Sequence, residues 1–197
     1  MFGIDDTEFI RGDVPMTKQE IRVLTLAKSH LTADAIVADI GAGTGSITVE
    51  AALIAVRGKV FAVERKLEAI ELIKRNVEKF SVANVEIIRA IAPDGLNALP
   101  ELDAAIVGGT GGQLDEILSA LDTKLKIGGR IVVNAVTIQN VVKTLDWFHA
   151  RDWLVDACQI QVTRLRQVGQ LDINQALNPV WIIAAEKIRG DDSATVV

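Results

Sequence analysis

The sequence predicts an α/β protein built on a doubly wound, mostly parallel sheet with a C-terminal antiparallel strand pair. Three observations carry this expectation. Short apolar runs alternate with segments of helical period through residue 150, the pattern of a parallel sheet covered on both faces. One of those runs breaks into three glycines at alternate positions, Gly41, Gly43 and Gly45, where a helical pattern begins. After residue 150 the periodicity changes to two, and two strands succeed one another with no helix long enough for a crossover.

The elements follow in order. Residues 1–16 read as a lead-in. Thr17 and Glu20 form a T-x-x-E capping box, which places a helix start just after Pro15-Met16. Its free N–H groups and positive dipole end suit a carboxylate, although an ordinary cap accounts for the same pattern. Strands are expected at 36–40, 59–63, 85–89, 103–107 and 130–135, with helices at 46–56, 67–80, 113–125 and 138–150. The 67–80 segment sets Leu67, Ile70, Ile73 and Val77 on one face with charge opposite. Gly128-Gly129 reads as the end of the helix before the fifth strand. Beyond 150, Cys158, Ile160 and Val162 alternate with Gln159, Gln161 and Thr163, and a second strand runs from Val180 to Ala185 after Asn178-Pro179. These two should pair antiparallel at one edge of the sheet. One domain over 1–197 is expected: lead-in and helix at 1–32, core at 33–188, flexible tail at 189–197.

Composition bounds the function. A chain of 197 residues, 49% of them hydrophobic, can bury about 70% of the surface its unfolded form exposes. Mean hydropathy is +0.29, yet no uninterrupted apolar stretch approaches the roughly 20 residues of a membrane span. The opening residues Met1-Phe2-Gly3-Ile4-Asp5-Asp6 lack the order of a secretory signal. The one cysteine, Cys158, cannot close an internal disulfide, so a reducing cytoplasm is the expected compartment. A net charge of −5 argues against a nucleic-acid partner.

The glycine loop is the first half of a site. Without Cβ atoms, its backbone can approach a bulky ligand and take positive φ, at the strand end where open α/β sheets bind ligands. The spacing is G-x-G-x-G, not the dinucleotide G-x-G-x-x-G, and no G-K-[ST] follows. A plain strand-to-helix turn is the alternative. Glu64 ends the second strand 19 residues after Gly45, where an acid can accept two hydrogen bonds from ribose hydroxyls; a solvated acid or an ion pair with Arg65 is the alternative there. Asp39 precedes the loop and either faces the ligand or braces the loop backbone. After the fourth strand stands Gly108-Gly109-Thr110-Gly111-Gly112 in place of an N-P-P-Y or D-P-P-Y motif. It offers a flat backbone surface to a broad planar substrate, or only a flexible turn.

The D-x-G-x-G-x-G loop, the five strands and the terminal antiparallel pair resemble the Rossmann-like class I S-adenosylmethionine-dependent methyltransferases over residues 33 to 187. More specifically, Arg11-Gly-Asp-Val-Pro-Met-Thr17, the Asp39 to Gly45 loop, Gly108 to Gly112 and Asn178-Pro179-Val180 resemble the cobalt-precorrin carbon-15 methyltransferase (decarboxylating) family of cobalamin biosynthesis.

That resemblance implies S-adenosylmethionine as cofactor, held by Thr17, Gly41, Ala42, Gly43, Thr44, Gly45, Glu64 and Ala92. Ala42 stands where cysteine or glycine is common in the family. The implied reaction is methylation of carbon 15 of cobalt-precorrin-6B with loss of carbon dioxide from the ring-C acetate, giving cobalt-precorrin-7. The conjugated macrocycle would serve as electron sink. Gly108 to Gly112 and Arg11 are the candidate substrate contacts, and Lys18, Arg22, Arg164 and Arg166 candidate anchors for its carboxylates or simply surface charges. Methyl transfer demands no catalytic base, and none stands out: His30 and His149 read as structural or solvated, Cys158 as core, and no metal site is expected. The resemblance also implies a homo-oligomer, in keeping with a tetramer. The competing readings are a class I methyltransferase with another substrate, such as a nucleobase or protein, a nucleotide-binding oxidoreductase, and a non-catalytic adenosyl-binding module.

Overall fold

In the computed structural model, residues 3–188 are described; Met1, Phe2 and the tail expected at 189–197 lie outside them. A 3-10 turn at Asp6–Glu8 precedes α1 (Gln19–Lys28), β1 (Ile36–Ile40), α2 (Ser46–Ile54), β2 (Lys59–Glu64), α3 (Leu67–Lys79) and β3 (Val85–Arg89). A second 3-10 turn at Leu96–Ala98 leads to β4 (Leu102–Val107), α4 (Leu114–Lys124), β5 (Leu125–Ala135) and α5 (Ile138–His149). The last part is all strand: β6 (Leu154–Ile160), β7 (Thr163–Val168), β8 (Leu171–Ala176) and β9 (Val180–Glu186).

Seven strands form one sheet in the order β3-β2-β1-β4-β5-β9-β6. The first five are mutually parallel, and β9 inserts antiparallel between β5 and β6. The order reverses between β1 and β4, the switch point at which open α/β sheets take ligands. Alternate residues of β1 serve the two faces, as the pleat requires. Ala38 and Ile40 join Leu114, Ile117, Leu118, Leu121 and Phe148 on the α4–α5 side, while Val37 packs with Ile47 and Ala51 of α2 and with Ala55 just after it on the other.

The expected parallel core and terminal antiparallel pair are present, with four differences. Thr17 and Glu20 do not form a capping box: Lys18 is the N-cap of α1, without a side-chain cap bond. The Glu20 carboxylate instead accepts from Arg164 Nε at 3.0 Å and Nη2 at 2.6 Å, a fork that outcompetes a backbone cap. Gly128-Gly129 does not end a helix. α4 stops at Lys124, and both glycines sit within β5, where pairing with β4 shifts register and Gly128 takes φ +78°. Leu67, at the first position of α3, is exposed, whereas Ile70 and Ile73 are buried. Finally, between β6 and β9 lies a separate two-stranded hairpin, β7–β8, absent from the sequence expectation. Its strands are exposed along nearly their whole length, so they carry no core-facing period for sequence to reveal.

Candidate functional site

The carboxyl ends of β1, β2, β4 and β5 open onto a cavity of about 690 Å³, within the usual range for small-molecule sites. The loop from β1 to α2 forms its centre. Gly41, Gly43 and Gly45 take φ of +73°, +57° and +77°, and the loop is held by Gly41 N and Ala42 N donating to Val63 O at 2.9 and 3.2 Å. Each glycine answers a different demand. A Cβ on Gly41 would lie 2.8 Å from the Gly109 backbone, one on Gly43 would lie 3.1 Å from Pro15 O, and one on Gly45 would meet Ile73 of α3 at 3.2 Å. The motif read alone assigns all three to a ligand. Here Gly41 and Gly43 line the cavity while Gly45 serves as N-cap of α2 against α3, outside the cavity wall.

Glu64 closes β2 with 9% of its surface exposed. Its carboxylate accepts three backbone N–H groups: Gly43 N at 3.0 Å on Oε2, and Arg65 N at 2.8 Å and Lys66 N at 3.0 Å on Oε1. The acid therefore buttresses the glycine loop while facing the cavity, and it makes no ion pair with Arg65. Asp39 is 1% exposed and accepts a 2.6 Å bond from Thr48 Oγ1. Burial pushes its carboxyl up to about 6, against the lowering effect of the Thr48 bond, and the negative charge of Glu64 adds to the rise. Two acids thus converge on one ligand space, where a cation between them would be favoured.

Thr17, Ala42, Thr44 and Ala92 also line the cavity. Thr44 Oγ1 is buried with no hydrogen-bond partner among the described residues, an orphan that a ligand would satisfy. The segment Val14 to Lys18 roofs the site and brings the start of α1 to it. That segment is held from behind. Arg22, fully buried, pairs with Glu50 of α2 at 2.5 Å and Asp6 at 3.2 Å, and donates to Thr17 O at 2.7 Å. Arg22 is a candidate anchor for substrate carboxylates on sequence grounds; its position in this internal pair removes it from that role. Arg164, a second candidate, is likewise engaged by Glu20 and Asp6. Arg11 and Gly112 lie outside the cavity wall, whereas Gly108, Gly109, Thr110 and Gly111 line it, as does Lys18.

Sequence reasoning misses one side of the cavity, formed by Ile21, Asn134, Asn140, Val162 and Leu177 beside the expected Asn178. Asn134 carries a usable signal: like Asp39 and Glu64, it is a polar residue near the carboxyl end of an otherwise apolar strand. Val162 and Leu177 flank the unforeseen hairpin and carry none. Cys158 packs partly buried against Ile21, Val132, Ile182 and Ala184; His30 and His149 are exposed and away from the cavity. Among the described residues no helix is long and apolar enough to cross a membrane.

Comparison with known proteins sharpens this picture. The family profile described as a precorrin methyltransferase domain matches residues 8–187. The chain is 44% identical over 188 residues to the probable cobalt-precorrin-6B C(15)-methyltransferase (decarboxylating) of Sulfolobus acidocaldarius, covering 94% of this chain and 97% of that protein. Its fold superimposes on the crystal structure of precorrin-6y C5,15-methyltransferase from Geobacter metallireducens with a TM-score of 0.90 and 38% identity, over 94% and 97% of the two chains. A Thermotoga maritima SAM-dependent O-methyltransferase shares the fold at a TM-score of 0.73 with 19% identity, over 88% of this chain and 67% of that one.

Proposed function

This chain belongs to the precorrin methyltransferase family, and from that premise we propose that it methylates carbon 15 of cobalt-precorrin-6B with loss of one carboxylate as carbon dioxide, using S-adenosylmethionine in the cytoplasm. The observation that carries the cofactor assignment is the convergence of Glu64, Asp39 and the orphaned Thr44 hydroxyl on one glycine-lined cavity. These residues fit the group. Glu64 offers its remaining acceptor capacity to ribose hydroxyls, the glycine backbone leaves room for the amino-acid part, and the ionised Asp39 suits its positive charge. Bound there, the cofactor supplies an electrophilic methyl group.

The protein's own contribution is positioning and exclusion of water. The Val14–Lys18 roof, pinned through Thr17 O, covers one side of the site. Gly108 to Gly111 offer a low backbone wall on which a flat macrocycle can rest beside the glycine loop. Ala90 to Ala92 follow β3 and border the cavity where a base would lie.

A methyltransferase for nucleobases or proteins is the weaker reading: the family profile and the 44% identical relative both point to a precorrin substrate, and a net charge of −5 does not suit nucleic acid. We further propose a homo-oligomer, in keeping with a tetramer. The support is the β7–β8 hairpin, where Val168, Leu171 and Ile173 share one face at 49, 69 and 43% exposure and Leu165 stands on the other at 72%, apolar side chains that association would remove from water.

The decisive experiment incubates the protein with S-adenosylmethionine and cobalt-precorrin-6B and follows the product by mass spectrometry. Gain of one methyl group with loss of one carbon dioxide is expected. Turnover of neither bond would overturn the substrate assignment, and a calorimetric titration showing no S-adenosylmethionine binding would overturn the cofactor.

A further inference from the structure

The cavity sorts charge by depth. Its acids, Asp39 and Glu64, are 1% and 9% exposed near the ends of β1 and β2. Its cations are Lys18, half-buried, and Arg65 and Lys66, both exposed. None of these three makes an ion pair among the described residues. The chain as a whole carries a net charge of −5, so an uncommitted positive rim above two buried acids locally reverses the sign of the protein.

Arg65 is the member of this rim that the fold aims at the glycine wall. It follows the last residue of β2, two strand spacings from β4 in the sheet order, about 10 Å. Its side chain reaches across: Nη1 lies 3.7 Å from the point that a Cβ on Gly111 would occupy. Gly111 belongs to the loop after β4, takes φ +57° and lines the cavity, and without a side chain it leaves the space beside the guanidinium open. The backbone of Arg65 is fixed too, because its N–H donates to Glu64 Oε1 at 2.8 Å. A guanidinium presents a planar fork of donors, the geometry that takes a carboxylate through two parallel bonds.

Resting on the precorrin reading above, we propose that Arg65 anchors a peripheral carboxylate of the corrinoid substrate and so sets how the macrocycle lies on the Gly108 to Gly111 wall. The substrate is a flat ring whose carboxylates project from its edge. A ring resting on the glycine wall brings that edge to the guanidinium stationed there. Lys18 and Lys66 add attraction for the same polyanion without a fork of their own. The two buried acids do the opposite: they repel substrate carboxylates from the end of the cavity that suits a cationic cofactor. Cation and polyanion are thereby sorted by sign, with an attractive element for each and a repulsive one against exchange. Because Arg65 is exposed, its contribution is modest and sensitive to salt.

The test uses the full chain with cobalt-precorrin-6B and S-adenosylmethionine. Arg65→Ala should raise KM for the corrinoid roughly threefold to tenfold, leave kcat within about twofold, and leave the S-adenosylmethionine dissociation constant unchanged in calorimetry. Arg65→Glu should raise KM further, and Arg65→Lys, which keeps the charge and loses the fork, should fall between Arg65→Ala and the unmutated protein. Higher ionic strength should narrow the gap between Arg65→Ala and the unmutated protein. Arg75→Ala removes an exposed charge on α3 outside the cavity wall and should leave KM unchanged. An equal rise in Arg75→Ala would assign the effect to net charge and overturn the anchor. So would an unchanged KM in Arg65→Ala and Arg65→Glu while the unmutated protein turns over. Weakened S-adenosylmethionine binding in Arg65→Ala also overturns it, since the guanidinium would then belong to the cofactor. An unmutated protein that turns over no corrinoid overturns the precorrin reading and this assignment together.

Discussion

Gly41 and Gly109 meet backbone to backbone: a Cβ on Gly41 would stand 2.8 Å from both Cα and N of Gly109 and 2.9 Å from its carbonyl oxygen. The contact is reinforced because Gly108 N and Gly109 N both donate to Ile40 O, at 3.0 and 3.3 Å. The two glycine-rich loops of the cavity therefore form one unit across β1 and β4.

Substitution at this contact should be asymmetric. Gly41→Ala places a methyl group against backbone at positive φ and should cost about 2–4 kcal/mol, with loss of cofactor binding. Gly109→Ala meets Gly41 Cα at 3.6 Å and its carbonyl oxygen at 4.0 Å, ordinary van der Waals contacts, and should unfold within a few tenths of a kcal/mol of the unmutated protein. Urea unfolding of both variants decides this, and equal losses would contradict the packing described.

Removing the Glu64 carboxylate leaves Gly43 N, Arg65 N and Lys66 N without their acceptor. Glu64→Ala should weaken S-adenosylmethionine binding by roughly 2–4 kcal/mol, through loss of the proposed ribose contact and through a looser glycine loop. Calorimetric titration provides the measurement; an unchanged dissociation constant removes Glu64 from the site.

Asp39 gives the site a pH signature. Its carboxyl titrates at about 6 when folded, against an ordinary aspartate value of 3.8, so between about pH 4 and 6 the native state holds the extra proton. Stability then falls as pH rises through that window and levels off above it, a loss on the order of 3 kcal/mol. Asp39→Asn should lack this component, gaining stability relative to the unmutated protein from pH 4 to pH 7. Cofactor affinity should climb as pH rises through about 6 only when Asp39 is present, because a cationic ligand favours the ionised form. Denaturant unfolding curves whose difference stays constant across these pH values would refute the assignment.

The buried Arg22–Glu50 pair should be costly to halve. Glu50→Gln leaves the guanidinium partly uncompensated, and a loss of about 3–5 kcal/mol is expected for breaking such a pair. Gly3 N and Ile4 N also donate to Glu50, at 2.8 and 3.0 Å, so the lead-in should loosen as well. Faster proteolytic cleavage within residues 3–18 would report it; unchanged cleavage with unchanged stability would show that the pair does not hold the roof.

Charging the hairpin tests association. Leu165→Glu with Leu171→Glu should shift the protein to monomers in sedimentation velocity while leaving the isolated fold intact, since both side chains are about 70% exposed in the single chain. A monomeric unmutated protein would remove the hairpin from that role.

The parallel core is legible in the sequence because strands such as Ile36–Ile40 and Leu102–Val107 are buried on both faces and read as continuous apolar runs. The glycine loop and Glu64 are legible because their chemistry sits at adjacent strand ends, a short distance apart in sequence. The rest of the site is assembled by distant pairings that no local pattern announces. Thr17 and Glu20 carry a valid capping signal, but a guanidinium 144 residues away takes the carboxylate. Gly128-Gly129 carry a valid helix stop, yet the strand begins before them. The individual roles of Gly41, Gly43 and Gly45 depend on Gly109, Pro15 and Ile73, so one sequence motif conceals three unrelated contacts.

One chain of charges joins the hairpin to the cavity: Arg164 of β7 reaches Asp6, Asp6 reaches Arg22, and Arg22 holds Thr17 O above the site. The hairpin and the roof thus share one continuous run of ion pairs and hydrogen bonds. If self-association fixes the hairpin, dilution and ligand affinity become thermodynamically linked, and the linkage runs equally in both directions. Whatever free energy a docked hairpin adds to ligand binding, the bound ligand returns to the assembly.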